Sequence, residues 1–205
     1  MRPSGISNIK IPVLYVNPYF NNDPQLIEEV TQAGGLGVVD HATVSRSTMR
    51  LSSGVTHGVR CYLKDLADYG SNSYIRVAII PLIDVEDMNK GESLSLSKYP
   101  FPVFVEAGNA DHAMIAEKAG AAGLIVRGSE GPGWVSDTNG FVLLQKILQS
   151  SKLPVFLQGG VSLRTAAGCV RAGASGVVLD NHLLLTESSS LSEKFKKFLS
   201  GLVLP

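Results

Sequence analysis

Short apolar runs recur along the chain, and each one ends abruptly in glycine or in a polar residue. The clearest runs span residues 12–16, 36–39, 74–82, 102–105, 124–126, 155–157 and 177–179. Runs without polar alternation are typical of strands that are buried on both faces of a parallel sheet. We therefore predict seven parallel strands from these runs. An eighth strand either lies in the poorly patterned stretch 84–98 or is missing from an incomplete barrel.

Helical patterns separate most of these runs, because apolar residues recur three and four positions apart. Asp23 followed by Pro24 has the chemistry of a helix start, and Asp111 and Ser162 are expected to cap two later helices. The predicted helices follow Asp23, run from Asp111 to Lys118, and cover 139–149, 163–172 and 191–202. The same spacing predicts a helix over 57–69, whereas the Ser- and Thr-rich stretch 42–56 is predicted to be a loop.

A repeated motif indicates how these elements are arranged. Ala-Gly-x-x-Gly followed by apolar residues occurs at 33–40, 119–126 and 172–179. Each copy is consistent with a glycine that ends a helix, a tight turn and a closely packed strand. Recurrent strand–helix units favour a TIM-type (β/α) barrel over an open sheet. We expect the whole chain of 205 residues to form this one domain, either by itself or as a piece of a larger protein.

Composition narrows the classes of function. Hydrophobic residues make up 44% of the chain, which argues against disorder. The 18 basic and 18 acidic residues balance, so neither nucleic acid nor a membrane surface is an expected partner. The sequence shows no bilayer-length apolar run and no signal-peptide core. Cys61 and Cys169 both lie in helix-like patterns and are expected to be reduced core residues, so we expect a cytoplasmic location.

Polar residues directly follow the apolar runs, at the positions that would surround the mouth of a barrel. They are Asn17, Asp40, His41, Glu106, Asn109, Glu130, Gln158 and Asp180. Any one of them alone is better explained as a capping or loop residue. Because the chemistry of α/β barrels lies at the carboxyl ends of the strands, the set together predicts a ligand pocket. The carboxylates also admit a hard cation, although no tight motif such as His-x-x-x-His is present.

The glycine pair after the penultimate predicted strand suggests one kind of ligand. Gln158-Gly159-Gly160 precedes Ser162, which is a good cap for the next helix. Such a turn can present bare backbone N–H groups to a phosphate at the start of a helix. A plain strand–helix turn is the alternative interpretation.

Segment 128–134 reads GSEGPGW and contains three glycines. It either approaches a planar ligand closely or covers the rim of the barrel. Trp134, the only tryptophan, is suited to stack on an aromatic ring or to cover the rim. Glu130 could orient a ligand or act as a base.

At these residues the chain resembles the nitronate monooxygenase (2-nitropropane dioxygenase) family of FMN-binding barrels, which includes flavin-type enoyl-[acyl-carrier-protein] reductases. The matching positions are Pro12, Pro24, Leu26 and the AGGLG at 33–37, then Gly128, Glu130 and Gly133, then Pro154, Val155, Gly159 and Gly160. They correspond to the family's opening layout, its Gly-x-Glu-Ala-Gly-Gly-His loop and its Pro-Val…Gly-Gly phosphate segment. The resemblance covers most of the chain apart from 42–100. The runs that begin at Phe141 and Val177 look closest to the version embedded in polyketide and polyunsaturated-fatty-acid synthases.

This resemblance implies an FMN-dependent, enoyl-reductase-like domain that acts on acyl chains carried by an acyl carrier protein, with NAD(P)H as the reductant. The implied cofactor-binding residues are Gly159 and Gly160 for the phosphate, Gly128 and Asp180 beside them, and Asn17, Glu106 and Gln158 at the isoalloxazine ring. Glu130 and Trp134 are implied to line the substrate side. The expected partners are the carrier protein or other synthase domains, and a homodimer is one expected assembly.

Two departures from the family pattern limit these implications. Trp134 replaces the family's His, which is the base in nitronate oxidation, so nitronate monooxygenase activity is not expected and His41 becomes the first alternative base. Leu179-Asp180 replaces the family's Gly-Thr phosphate contact. A carboxylate ~4 Å from a phosphate costs roughly 4 kcal/mol at an effective dielectric of ~20, unless Asp180 instead caps the turn at Asn181.

Two functions of other classes therefore stay open. One is a barrel without catalysis that serves as a docking or structural module of a synthase. The other is a phosphate-ligand isomerase or lyase that uses no flavin.

Overall fold

Eight parallel strands close into a barrel in chain order in the computed structural model, which describes residues 6, 9–17, 23–43, 51–89 and 94–202. The strands are β1 (Val13–Val16), β2 (Leu36–Asp40), β3 (His57–Arg60), β4 (Ile75–Ile80), β5 (Val103–Ala107), β6 (Gly123–Arg127), β7 (Val155–Gln158) and β8 (Gly176–Leu179). The pairing of β8 with β1 closes the barrel. The predicted TIM-type barrel is confirmed, and it is complete.

Helices cover the outside of the barrel between most of the later strands. They are α1 (Pro24–Gln32), α2 (Ala110–Lys118), α3 (Gly140–Ser150), α4 (Leu163–Arg171) and the terminal α5 (Glu193–Leu202). Short 3-10 helices occur at Leu63–Tyr69, Leu82–Asp84, Asp87–Asn89, Leu96–Lys98 and Asn181–Leu185. Asp23 and Ser162 cap α1 and α4 as predicted, because each side chain accepts from an N–H of the first helical turn.

Three sequence predictions are corrected by the structure. The stretch 57–69 is not a helix, because His57–Arg60 forms β3 and only Leu63–Tyr69 is a 3-10 helix. The eighth strand therefore lies here, and the described part of 84–98 contains only short 3-10 helices. Gly58 explains the error: it has no side chain, and it lets β3 pass closely between Val38 and Val77. The third correction is the cap of α2, which is Asn109 and not Asp111.

Two phenylalanines pack among aliphatic side chains in the interior of the barrel. Phe104 on β5 and Phe156 on β7 meet edge to face, with their ring centroids 5.7 Å apart. The glycines that begin β6 and β8 make room for these rings: a Cβ at Gly123 would lie 2.6 Å from the Phe104 ring, and one at Gly176 would overlap the Phe156 ring. The interior of the barrel around these rings is therefore a packed core, and the mouth is the place where barrels of this type carry their sites.

Three further expectations can be compared with the structure. Cys61 and Cys169 are both buried and form no disulfide, as predicted, although Cys61 follows β3 and does not lie in a helix. Across the described residues, no helix combines the length and the apolar character that a membrane span requires. The loop predicted at 42–56 falls partly outside the described residues, and its described ends contain no helix or strand.

Candidate active site

Charged and amide side chains end on the inner face of the barrel, where the strands reach the mouth. They are Asp40 of β2, Arg60 of β3, Glu106 of β5, Arg127 of β6 and Gln158 of β7, and none is more than 3% exposed. Each of these residues stands two positions after a residue that faces the interior of the barrel. Because side chains alternate between the two faces of a strand, each of them points to the same inner face. The mouth of the barrel is thus a polar layer above the apolar core of the barrel interior.

Glu106 lies at the centre of this layer. Arg60 donates to its two oxygens from Nε and Nη2 at 2.7 and 3.2 Å. Arg127 donates from Nη1 to both oxygens at 3.1 and 3.2 Å, and the backbone N–H of Leu82 adds a bond of 2.9 Å. Arg60 also reaches both oxygens of Asp40 through Nη1. The sequence interpretation placed Glu106 at the isoalloxazine ring of a flavin, and that role stays a prediction. In the structure the two carboxylate oxygens of Glu106 accept five hydrogen bonds from the protein.

The two carboxylates of this network differ in their acidity. Burial alone raises the pKa of Glu106, but the charges of Arg60 and Arg127 outweigh burial and lower that pKa to about 2. Burial dominates at Asp40 and raises its pKa, because the charge of Arg60 does not offset the desolvation. Glu106 is therefore a fixed anion that holds two arginines in place, and it is unsuited to exchange protons near neutral pH.

Gln158 and Asp180 meet at the other side of the mouth. The amide Nε2 of Gln158 lies 3.5 Å from Oδ2 of Asp180. The other oxygen of Asp180 accepts from the N–H of Asn181 at 2.6 Å, so this carboxylate caps the 3-10 helix that follows β8. Of the two arrangements considered for Asp180, the structure shows the one in which it caps the turn at Asn181.

The turn between β7 and α4 has the backbone geometry of an anion site. Gly159 and Gly160 adopt φ values of 104° and 62°, which disfavour residues with a side chain. Within the described residues, the N–H groups of Gly160 and Val161 donate to no acceptor. The side chain of Ser162 satisfies only the N–H of Thr165 in the first turn of α4, at 3.2 Å. Open N–H groups therefore cluster at the start of a helix, which suits a phosphate.

The segment after β6, residues 128–139, folds across this turn. The carboxylate of Glu130 accepts from the N–H of Gly140 at 3.0 Å and from the side chain of Asn139. It therefore caps α3, and its predicted role toward a substrate stays a prediction. Gly128 is required for close approach, because a Cβ there would overlap Gly140. The backbone of Gly131 lies against Gly159, so the segment covers the glycine turn.

The remaining predicted residues lie nearer the rim of the barrel. Trp134 is 65% exposed. His41 places Nδ1 at 2.6 Å from the hydroxyl of Tyr69 and stacks on that ring. Asn17 is buried and accepts from the hydroxyl of Tyr15 at 3.1 Å. The catalytic and cofactor-binding roles predicted for these residues stay predictions.

Sequence reasoning missed Arg60 and Arg127, two buried cations of the mouth. Arg127 ends the run GLIVR and directly precedes Gly128, so it has the same placement as the polar residues that were identified. Arg60 was hidden because HGVR was interpreted as part of a helix. The alternation of Gly58 and Arg60 with Val59 is the signal that could have found it. No group of three or more metal-ligating side chains occurs among the described residues.

A comparison with models of known protein families identifies the family of this chain. The family model of nitronate monooxygenase matches residues 85–200, which is more than half of the chain. The chain belongs to the nitronate monooxygenase family. The match includes Glu106, Arg127, Gln158 and the Gly159-Gly160 turn, so most of the polar mouth lies in the part shared with the family. No curated protein matches the chain significantly.

Solved structures share the barrel of this nitronate monooxygenase family member. FabK from Thermotoga maritima is 22% identical with a TM-score of 0.78, over 96% of this chain and 67% of that one. Nitroalkane oxidase from Streptomyces ansochromogenes is 19% identical with a TM-score of 0.67, over 95% and 72%. The enoyl reductase domain of MlnA, from the macrolactin biosynthesis cluster of Bacillus amyloliquefaciens, is 11% identical with a TM-score of 0.63, over 94% and 58%. At these identities the likeness establishes the fold.

Proposed function

We propose that this member of the nitronate monooxygenase family is an FMN-dependent, enoyl-reductase-like domain. Its substrate would be an acyl chain on an acyl carrier protein, and NAD(P)H would be the reductant. The observation that carries the proposal is the Gly159-Gly160 turn, with its positive φ angles and open N–H groups at the start of α4. The family membership and the shared fold with FabK and the MlnA enoyl reductase domain support it.

The residues present fit the phosphate of such a cofactor. The N–H groups of Gly160 and Val161 are available, and the two nearest carboxylates are both engaged elsewhere. Asp180 is bonded to Asn181, and Glu130 is bonded to Gly140. Each carboxylate is partly compensated by the backbone N–H from which it accepts, and the carboxyl carbon of Glu130 stays 3.9 Å from the Cβ position of Gly160.

The chain's own residues have defined roles in this proposal. Gly159 and Gly160 would hold the phosphate, while Asn17 and Gln158 border the mouth where a ring would lie. When bound, FMN would supply hydride transfer between the nicotinamide and the acyl substrate. Glu106 holds Arg60 and Arg127 as fixed cations in a layer with little access to water. Trp134 and Glu130 belong to the segment that covers the turn, so this segment would separate the site from solvent.

Titration with FMN tests the proposal directly, using the parent protein and Asp180→Gly. We expect the parent to bind FMN and to show the flavin absorption bands. Binding gained only by Asp180→Gly would mean that the site is a relic and would favour the docking or structural module. Absence of binding in both proteins would remove FMN, and a screen of phosphorylated ligands would then test the isomerase or lyase alternative.

We also predict that alkyl nitronates are poor substrates. The indole of Trp134, which is exposed, is not basic and cannot abstract a proton. The position at which the family carries its His therefore holds no base. Oxygen consumption with alkyl nitronates measures this activity. Rapid turnover would contradict the prediction, and loss of that turnover in His41→Ala would identify His41 as the base.

A further inference from the structure

Three buried side-chain atoms have no hydrogen-bond partner among the described residues: Oγ1 of Thr43, Nε of Arg127 and Oε1 of Gln158. The last two belong to neighbouring strands, β6 and β7. The side chains of Arg127 and Gln158 are 2% and 3% exposed, so bulk solvent does not reach these atoms. A buried donor or acceptor without a partner costs about 1–3 kcal/mol, and such atoms are therefore rare unless something binds them.

These two atoms belong to neighbouring side chains. Arg127 and Gln158 pair across β6 and β7, so both side chains extend from the same inner face of the barrel. One atom is a donor and the other an acceptor, yet they do not bond to each other. A third group that offers an acceptor and a donor side by side could satisfy both.

The orientation of both side chains is set by their other contacts. Nη1 of Arg127 is held by Glu106, and Nη2 donates to the carbonyl of Pro132, which leaves Nε. The amide nitrogen of Gln158 faces the carboxylate of Asp180. Turning that amide over would place its oxygen against the carboxylate, so Oε1 must be the atom that remains unpaired.

We propose that Arg127 and Gln158 form a subsite for the edge of a planar imide, in which a ring carbonyl lies next to a ring N–H. Nε would donate to the carbonyl, and Oε1 would accept from the N–H. This inference rests on the proposed function, because the pyrimidine ring of a flavin carries such an edge at C2=O, N3–H and C4=O. It adds Arg127 to the binding residues and gives Gln158 a specific role.

Entry to this subsite requires movement of the segment that covers it. Pro132 accepts from Arg127, and a Cβ at Gly131 would lie 3.8 Å from the same guanidinium. The bond to Pro132 closes the segment over the unpaired atoms. A ligand would therefore enter when this bond opens, and the buried pair would then be satisfied by the ligand.

A chemical double-mutant cycle tests the subsite. The probes are lumiflavin and 3-methyllumiflavin, which differ only in whether N3 carries a hydrogen. Neither has a ribityl phosphate, so the Gly159-Gly160 turn does not contribute to the comparison. The proteins are the parent, Gln158→Met and Gln145→Met, and flavin fluorescence reports the dissociation constants. Gln145 is exposed on α3 and provides the matched control.

We expect the parent and Gln145→Met to bind 3-methyllumiflavin about tenfold more weakly than lumiflavin, because an N-methyl group leaves Oε1 unpaired. In Gln158→Met the two flavins should bind equally. Arg127→Lys keeps a positive charge near Glu106 but removes Nε, and it should weaken both flavins alike. If Gln158→Met does not fold, Gln158→Asn takes its place, because the shorter side chain withdraws the amide oxygen from the subsite.

The outcomes separate the inference from the proposed function. Equal binding of the two flavins by the parent would overturn the imide subsite and leave the flavin proposal standing. A tenfold difference that persists in Gln158→Met would also overturn it, because another residue would then recognise N3–H. If the parent binds neither lumiflavin nor FMN, the proposed function and this inference both fail.

Discussion

The polar mouth of the barrel depends most on one residue, Glu106. A buried ion pair is weak evidence of net stabilisation, because desolvation of the charges offsets much of their attraction. Removal of one partner is different, since it leaves the opposite charges buried without compensation. Glu106 faces both Arg60 and Arg127, so its charge is the one whose loss affects the whole layer.

We predict that Glu106→Gln lowers the free energy of unfolding by about 3–5 kcal/mol, because two buried guanidinium groups lose their common anion. Denaturant unfolding monitored by circular dichroism measures this change. Glu86→Gln, at an exposed position, is the matched control and should change stability by less than about 0.5 kcal/mol. A loss of under about 1 kcal/mol in Glu106→Gln would show that the arginines find other partners.

The low pKa of Glu106 predicts a specific dependence of stability on pH. Arg60 and Arg127 outweigh burial and lower that pKa from 4.5 to about 2 in the folded state. A lowered pKa stabilises the fold at pH values above the unfolded pKa, and this contribution is lost as the pH falls from about 4.5 towards 2. The contribution is on the order of 3 kcal/mol. The raised pKa of Asp40 acts in the opposite direction, because the folded state binds that proton more readily.

Unfolding free energies measured between pH 6 and pH 3 check this dependence. The parent and Glu86→Gln should lose stability together as the pH falls. Glu106→Gln should lose less, because it has no carboxylate to protonate at that position. Parallel curves for the parent and Glu106→Gln would show that Glu106 does not contribute to the acid sensitivity.

At the scale of single residues, sequence placed side chains well but could not assign their contacts. Glu106 and Gln158 were found because each directly follows a buried run, where a polar side chain reaches the mouth of a barrel. Their partners could not be found, since the Arg60–Glu106 contact joins positions 46 apart in the chain. Glu130 shows the same limit: its placement at the mouth was predicted, but its bond to Gly140 depends on how the segment folds back.

At the scale of elements, the backbone conformation of the β7–α4 turn limits which residues it accepts. Gly159 and Gly160 both have positive φ, but their surroundings differ. A Cβ at Gly159 would lie 3.1 Å from the N–H nitrogen of Gly131, whereas the nearest atom at Gly160 would be the Glu130 side chain at 3.5 Å. Residues in the left-handed region cost about 1–2 kcal/mol on conformational grounds alone.

We predict that Gly160→Ala loses about 1–2 kcal/mol of stability, as expected from its φ. Gly159→Ala should lose more, because backbone atoms of the covering segment must also shift. Gly160→Asn should be tolerated better than Gly160→Ala, since Asn adopts this conformation more readily. Thermal unfolding of the three variants gives the order. Equal losses in Gly159→Ala and Gly160→Ala would mean that the segment over the turn is loosely packed.

Sequence patterns predicted most helices and strands, and they failed where pairing with neighbouring strands determines the structure. Caps such as Asp23 and Ser162 are local and were identified. The helical spacing over 57–69 was genuine in its second half, where Leu66 and Tyr69 are buried in a 3-10 helix. In its first half, the pairing of β3 with β2 and β4 overrides the pattern. The alternation of Gly58 and Arg60 with Val59 is the local signal of β3, and it is weak because four residues are too few to establish a period.

At the scale of the whole molecule, closure of the barrel depends on the exact fit of β8 beside β1. Gly176 begins β8, and a Cβ there would overlap both the backbone carbonyl of Pro12 and the Phe156 ring. The ring could move only by displacing Phe104, and the carbonyl of Pro12 accepts the N–H of Val177. Neither neighbour can therefore yield without opening the seam or disturbing the core.

We predict that Gly176→Ala destabilises the whole barrel by about 3 kcal/mol or more, in the manner of an overpacked core position. The matched control is Gly168→Ala on α4, where a Cβ would meet no atom within 4 Å. There alanine should stabilise the protein by about 0.5–1 kcal/mol, because glycine in a helix costs conformational entropy. Opposite shifts in the midpoint of thermal unfolding would therefore result from the same chemical change. If Gly176→Ala unfolds like the parent, the seam between β8 and β1 has room that this structure does not show, and the closed barrel would need to be revised there.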